Sequence, residues 1–313
     1  MDLALSRLSS GECALTGGGS SLVLQRDGQP VLRADQLAWR RLASQLASAV
    51  APTEIAPVIT SGPVGLDVAL ETNIADIDQH ADYWERGTRG GGSRDLTCAG
   101  RNASVRSLLV SERLRFEKGL PLGFSVGAMV GKLVATELYL IGGELKFALL
   151  EEVWGARVPD LAFRVALSKS VGSDDVALLN TSFDLLLAKR FVVAQLFTLS
   201  PFLGLGALLT RASSRTIDLT PNIDAVACRE GRDVVCNGGG LAASTDDLGH
   251  DVRFDTLRLW RYRGFVGVSA RHRMVALSGS AHVDLVAPRV GPGSDGEKGA
   301  RQWSVSVAPS VSF

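Results

Sequence analysis

Apolar and small polar residues alternate strictly through the last thirteen positions of the chain, RQWSVSVAPSVSF. The alternate positions from Trp303 to Phe313 are apolar, and four of the positions between them are serine. A period of two predicts a β-strand with one apolar face and one small polar face.

The same alternation recurs along most of the chain. Each segment is about ten residues or longer, which is the length that a tilted strand needs to cross a bilayer. Because lipid offers no hydrogen-bond partner to a free sheet edge, such a sheet has to close. We therefore predict an all-β fold, an antiparallel up-and-down transmembrane β-barrel of about ten strands, with twelve as the alternative. The segments are 64–74, 108–117, 120–130, 139–149, 161–168, 179–188, 197–209, 253–268, 275–285 and 303–313.

The predicted connections alternate in length. Long or medium connections cover 78–107, 212–252 and 288–300, and those between them are short, for example Lys118-Gly119 and Ala270 to Arg273. Outer-membrane barrels have short periplasmic turns and longer extracellular loops. With an even strand number, this pattern places both chain ends in the periplasm.

Residues 1–62 differ from the barrel, which we assign to 63–313. Leu22 to Leu32 can form a hairpin around Asp27-Gly28, and a short amphipathic helix is expected from Ala34 to just before Pro52. This N-terminal segment can lie in the periplasm, inside the lumen or at the membrane surface. Met1 to Arg7 lack the features of a secretion signal, so we expect the native signal peptide to be missing from this chain.

Charged residues recur on the strand faces opposite the apolar ones. In a narrow barrel such charges pair and fill the interior, and the alternative is a polar conduit or a small ligand pocket. His282 lies on the same face, where we interpret it as part of the charge network and not as a catalytic base. The predicted lumen-lining residues are Asp67, Glu71, Arg113, Arg115, Glu144, Lys146, Arg164, Asp184, Arg261, Arg263 and Asp284.

The four cysteines favour an oxidising compartment. Cys228 and Cys236 flank a polar stretch and are expected to form a small disulfide-closed loop, whereas no zinc-like spacing or other metal site is present in the sequence. No nucleophile can be paired with a base, so we predict no catalytic residues, no enzyme activity and no cofactor. The 33 basic and 33 acidic residues give no field that would attract nucleic acid.

Two resemblances indicate a location. A terminal Phe313 preceded by Val305, Val307 and Val311 resembles the signal by which the barrel assembly machinery recognises its substrates. The strings KGLPLGFSVGA (118–128), VPDLAFRVALSKSVGSDD (158–175) and LSPFLGLGALLT (199–210) resemble a proteobacterial family of outer-membrane β-barrels of unknown function. Phe202 stands where that family has another aromatic residue. The resemblance implies the bacterial outer membrane, with lipid and the assembly machinery as partners, and implies no substrate.

Two functions follow as expectations. The first is a passive channel or transporter for a small solute that the sequence does not identify. The alternative is a structural or surface-interaction barrel with a closed, salt-bridged lumen, which acts through its extracellular loops.

Overall fold

Ten antiparallel strands form a closed barrel in the computed structural model, which describes residues 2–10, 25–26, 29–30, 33–55, 65–90, 101–150, 159–193, 196–218, 251–291 and 297–313. Each strand pairs with the next one in sequence, so the topology is an up-and-down meander. The strands are β1 Leu66–Asp76, β2 Leu108–Gly119, β3 Phe124–Leu133, β4 Tyr139–Leu150, β5 Asp160–Val171, β6 Val176–Ala188, β7 Phe197–Ser214, β8 Leu257–His272, β9 Val275–Asp284 and β10 Trp303–Ser312.

The first and last strands close the ring. Ser304 of β10 pairs with Ala75 of β1, and the register continues to Ser312 and Asp67. Phe313 extends this seam, because its N–H donates to the Leu66 carbonyl at 2.9 Å and its carbonyl accepts from the Leu66 N–H at 3.1 Å. The predicted ten-stranded barrel is confirmed, and the twelve-stranded alternative is wrong.

The barrel is polar inside and apolar outside. In β10, Ser304 and Ser306 are buried, whereas Val305 and Val307 between them are exposed. The alternation puts successive side chains on opposite faces of each strand. Leu70 is accordingly 53% exposed beside the fully buried Glu71. A water-soluble barrel has the reverse arrangement, with its apolar residues inside.

The two ends of the barrel differ in their connections. At one end, here the short-turn end, the strands are joined by residues 120–123, 151–159, 189–196 and 273–274. At the other, the long-loop end, residues 77–107, 215–256 and 285–302 form long connections. Two connections at the long-loop end, 134–138 and 172–175, are nevertheless short, so the strict alternation of long and short connections is wrong there. Ala135 makes one of these turns with a φ of 60°, a conformation that is unusual for alanine.

Two helices lie at or within the long-loop end. Helix α1, Gln36–Ala49, confirms the predicted amphipathic helix. Its first turn is capped by Asp35, whose carboxylate accepts from the Ala38 N–H at 3.0 Å. The backbone then continues, buried, through residues 50–55. Helix α2, Asp82–Gly87, belongs to the connection between β1 and β2.

The chain ends lie at opposite ends of the barrel. Leu3 forms a bridge with Thr88 beside α2, and the Ala4 N–H donates to the Gly87 carbonyl at 2.9 Å. Phe313 lies at the short-turn end. The expectation that both chain ends lie on the same, periplasmic side is therefore wrong, because residues 36–55 run through the barrel between the two ends.

Shorter elements complete the fold. Gln25–Arg26 pairs with Gln29–Pro30, at the position of the predicted hairpin. Within the described residues, no helix is long and apolar enough to cross a bilayer. The predicted Cys228 to Cys236 disulfide lies outside the described residues, as do Cys13 and Cys98.

Candidate functional site

The barrel interior is occupied by residues 36–55, which we call the interior segment. Its helical part packs in an apolar zone at the long-loop end, where Trp39, Leu42 and Leu46 are at most 2% exposed. Trp39 packs against Phe254 with ring centroids 5.4 Å apart. The polar group of this tryptophan is also satisfied, because its Nε1–H donates a hydrogen bond to the Asp255 carbonyl at 3.0 Å.

A second contact ties α1 to the β1–β2 connection. The Gln45 side chain donates from Nε2 to the Tyr83 hydroxyl at 3.0 Å and accepts from the Trp84 indole N–H. Trp84 is 1% exposed and belongs to the same apolar cluster as Leu42. The interior segment is therefore hydrogen-bonded to the β1–β2 connection at the long-loop end as well as to the wall of the barrel.

Side chains of the wall donate to the backbone carbonyls of the interior segment. The last carbonyls of a helix have no partner within the helix, and a buried carbonyl without a partner costs free energy. Arginine, asparagine and serine side chains on five strands supply the missing donors here. The donations are Arg261 to Ser44 (2.9 Å), Asn180 to Ala47 (3.0 Å), Asn73 to Ala49 (3.0 Å), Ser168 to Val50 (3.3 Å), Arg263 to Pro52 (3.2 Å), and both Arg115 and Arg164 to Thr53 (3.0 and 3.1 Å).

Glu54 is the only acidic residue of the interior segment. Its Oε2 lies 3.1 Å from Nε of Arg164, and its Oε1 lies 3.5 Å from Nζ of Lys146. All three side chains are at most 1% exposed. A buried carboxylate is tolerated only when it is paired in this way.

The ion pairs of the wall converge around Glu54. Arg164 also binds Asp184 at 2.9 Å and Glu144 at 2.6 Å. Glu144 in turn accepts two hydrogen bonds from Arg115, at 2.6 and 2.7 Å. The remaining pairs of this layer are Arg113–Glu71 (3.2 Å), Arg115–Glu71 (3.3 Å), Lys146–Glu117 (3.6 Å) and Arg261–Asp284.

Glu54 balances the charge of this layer. Six wall cations, Arg113, Arg115, Lys146, Arg164, Arg261 and Arg263, face five wall carboxylates, Glu71, Glu117, Glu144, Asp184 and Asp284. The carboxylate of the interior segment is the sixth. Without it, this layer has one positive charge in excess.

The sequence-predicted lumen residues all have their side chains on the interior face. Ten of them belong to the buried layer around the interior segment. Asp67 lies apart, at the short-turn end, where its 17%-exposed side chain pairs with Arg271 at 3.4 Å. The four residues predicted as an assembly signal, Val305, Val307, Val311 and Phe313, are exposed on the outer face of β10 or at its end.

His282 lies beside a serine but lacks the third member of a catalytic triad. Its Nε2 is 3.3 Å from the Ser280 hydroxyl and 3.3 Å from the Glu54 carbonyl. Its Nδ1 has no hydrogen-bond partner, and Asp284, two residues on, is bonded to Arg261 instead. Both Ser280 and His282 are at most 5% exposed. This pair therefore has neither an orienting carboxylate nor access for a substrate.

Several cavities border the interior segment, and one of about 430 Å³ lies against Leu37, Ala38 and Arg41 of α1. Towards the short-turn end, a cavity of about 40 Å³ is lined by Ile55, Asp67, Arg115 and Glu117. This volume holds a few waters and is too small for a solute. At the long-loop end, a cavity of about 220 Å³ has an apolar floor that includes Leu46 and Trp84 and a charged rim. Among the described residues, no cluster has the ligands to hold a metal ion.

The sequence did not reveal the role of Thr53 and Glu54. Half of their described hydrogen bonds involve their backbone carbonyls, and a residue pattern gives no information about such bonds. One usable signal existed: the predicted lumen residues comprise six cations and five carboxylates, and Glu54 lies two residues after Pro52, before which the predicted helix ends.

Comparisons with known proteins agree in the type of fold alone. No family model matches the sequence, and no curated protein matches it significantly. The outer membrane protein OprG from Pseudomonas aeruginosa is similar at 9% identity, covering 82% of this chain and 99% of that one, with a TM-score of 0.30. The outer membrane protease OmpT from Escherichia coli is similar at 9% identity over 84% and 98%, with a TM-score of 0.35.

A third structure, the translocator domain of the autotransporter NalP from Neisseria meningitidis, is similar at 11% identity over 88% of this chain and 95% of that one, with a TM-score of 0.35. These solved structures are bacterial outer-membrane barrels. At such identities and TM-scores the likeness carries no argument about function, and the site has to be interpreted from its own geometry.

Proposed function

We propose that the chain is a bacterial outer-membrane β-barrel whose lumen is closed by its own interior segment, and that it acts through its long-loop end at the cell surface. The buried contacts of Glu54 and of the carbonyls of residues 44–53 carry the proposal. Because the hydrogen-bonded interior segment fills the lumen, a solute has no ready path through it. Action through the long-loop end is therefore favoured over a passive channel.

The outer surface supports the membrane location. Leu203, Leu205 and Val266 are 55–60% exposed in the middle of neighbouring strands. Aromatic residues occur towards both ends of this apolar band, which is typical of membrane barrels. They include Tyr139, Trp260 and Trp303 towards the long-loop end and Phe197 and Phe313 towards the other. The blocks KGLPLGFSVGA and LSPFLGLGALLT are in keeping with the same location and with the related barrel family.

The closed lumen is tested by conductance in a planar bilayer. The wild-type barrel is expected to give no openings at any applied voltage. In Glu54→Lys, a cation replaces the carboxylate beside Arg164 and Lys146, which should expel the interior segment and produce openings. Glu112→Lys, on the outer face of β2, is the matched control and should remain silent. Stable wild-type openings would overturn the closed-lumen proposal.

The orientation is tested on intact cells. An epitope inserted before Asp2 should be recognised by antibody without permeabilising the outer membrane, because residues 2–8 lie at the long-loop end. Recognition that requires permeabilisation would place that end in the periplasm and contradict action at the surface.

A further inference from the structure

The outer face of the barrel carries a row of basic residues where its apolar band meets the long-loop end. Lys169 of β5, Arg211 of β7 and Arg258 of β8 are all exposed, and each stands between two buried neighbours, so each side chain points outward. Lys169 and Arg211 both pair with Leu179 of β6, and Arg211 pairs directly with Arg258. These three cations, the basic row, therefore lie at one height on three of the four adjacent strands β5 to β8.

The spacing brings the charges close together. Directly opposed residues have Cβ atoms roughly 5 Å apart, and strands lie about 4.8 Å apart. Arg211 and Arg258 are thus immediate neighbours, with Lys169 about 10 Å from Arg211. Like charges directly opposite each other destabilise a sheet. Among the described residues, none of the three forms an ion pair, whereas the nearby Arg215 is paired with Asp174 at 3.2 Å.

Apolar surface continues directly below the basic row, towards the middle of the barrel. The next outward positions are Leu167, Leu209 and Trp260, in register across the same strands. Trp260 is 47% exposed and its ring centroid lies 6.3 Å from that of Phe183, which is also exposed. The outer face thus combines three cations, without an ion pair to any described residue, with an aromatic and aliphatic surface on the side towards the middle of the barrel.

We propose that the basic row binds the phosphorylated headgroup of an outer-leaflet glycolipid, whose acyl chains lie against Trp260 and Phe183. The inference rests on the proposed membrane location. Anionic phosphates supply the countercharge that no described residue gives Arg211 and Arg258, and clustered basic residues at a membrane surface recognise such headgroups. Lipid is favoured over a soluble phosphate compound because the apolar rows continue below the cations.

The test uses the full-length refolded barrel in neutral detergent, with bisphosphorylated lipid A as the probe. Native mass spectrometry should show lipid A retained by the wild type, and dephosphorylated lipid A should be retained far less. The double variant Arg211→Gln/Arg258→Gln should weaken retention by about tenfold or more. Without lipid, this variant should unfold at the same or a higher temperature than the wild type, because the like-charge contact is gone.

Lys132→Gln is the matched control. Lys132 is also outward-facing near the long-loop end, but it lies opposite Glu112 and its Nζ is 5.0 Å from the centroid of the Tyr139 ring. Retention of lipid A should be unchanged in this variant. Equal retention by the wild type and the double variant would overturn the proposal, as would displacement of lipid A by equimolar inorganic phosphate.

A separate arm distinguishes this inference from the proposed function. The wild type is also refolded into phosphatidylcholine vesicles that contain no lipid A. Failure to integrate there would refute the membrane location itself. Integration together with no preference for phosphorylated lipid A would refute the basic row alone.

Discussion

Glu54 and Arg164 form a fully buried ion pair between the interior segment and the wall, with Oε2 3.1 Å from Nε. Arg164 simultaneously donates to the Thr53 carbonyl at 3.1 Å. One guanidinium therefore holds both the backbone and the side chain of consecutive residues. Arg164 also binds Glu144 and Asp184. These four acceptors exceed the three N–H donors of a lysine, whereas a guanidinium has five.

Replacing Glu54 by Gln should therefore weaken the folded barrel. The amide keeps the shape of the side chain but leaves the layer with an excess positive charge. Loss of one partner of a buried pair costs on the order of 3–5 kcal/mol. Thermal unfolding, followed by the heat-modifiable migration of the barrel in gels, should occur at a clearly lower temperature than in the wild type.

Asp255→Asn is the matched control for that experiment. Asp255 also pairs with the interior segment, through Arg40 at 3.1 Å, but its side chain is 60% exposed. An exposed pair contributes roughly 0–1 kcal/mol. A control variant as unstable as Glu54→Gln would indicate that burial of the Glu54 pair is not what matters.

Leu203→Arg should impair insertion. Leu203 is 55% exposed on β7, between Leu187 of β6 and Val266 of β8, at mid-height in the apolar band. An arginine facing lipid near the midplane costs about 2–4 kcal/mol. Refolding into vesicles should fall, as measured by protease protection, and Leu203→Phe should insert like the wild type. A water-soluble, folded Leu203→Arg protein would refute the membrane location.

The strand register could be predicted from the sequence because burial differs between alternate residues. Ser306 and Val307 show this: one step along the chain moves the side chain from the interior to the exterior. The same pattern could not reveal what fills the interior. A polar wall residue such as Asn180 is equally consistent with bound water, a wall partner or, as found, the Ala47 carbonyl of the interior segment.

Ser306→Arg distinguishes a filled lumen from a wet one. From the sequence, an arginine here would be tolerated if the lumen held water. In the structure Ser306 is fully buried and donates to Oδ1 of Asn73 at 3.0 Å, while Asn73 donates to the Ala49 carbonyl. The larger cation has neither space nor a free carboxylate, and overpacking alone costs about 1–3 kcal/mol. We expect a lower unfolding temperature, with Ser306→Ala much closer to the wild type. Unchanged stability of Ser306→Arg would mean that the lumen is wet.

Tyr83 should titrate above the ordinary range of a tyrosine. Burial in α2 raises the pKa of its hydroxyl to about 12, and the carboxylate of Asp78 adds to the rise. Since the folded-state pKa is above the unfolded value of 10.0, the stabilising contribution is complete below pH 10 and is lost as the pH rises towards 12. Tyrosinate absorbance of the wild type should show a late step that Tyr83→Phe lacks. If Tyr83→Phe instead removes absorbance that appears near pH 10, the result would contradict the buried contact between Tyr83 and Gln45.

Deletion of Phe313 should slow assembly more than it lowers stability. The residue closes the β10–β1 seam through two backbone hydrogen bonds with Leu66, and its side chain is 67% exposed, so few packing contacts are lost. If the exposed ring, with Val311 and Val307, is what the assembly machinery binds, the deletion should reduce the folding rate in vesicles that contain the machinery. Phe313→Tyr keeps both the backbone bonds and an aromatic ring and should fold at the wild-type rate, whereas Phe313→Ala keeps only the bonds and should be slow. Equal rates for Phe313→Ala and the wild type would show that the ring is not recognised, and that the last residue serves the seam alone.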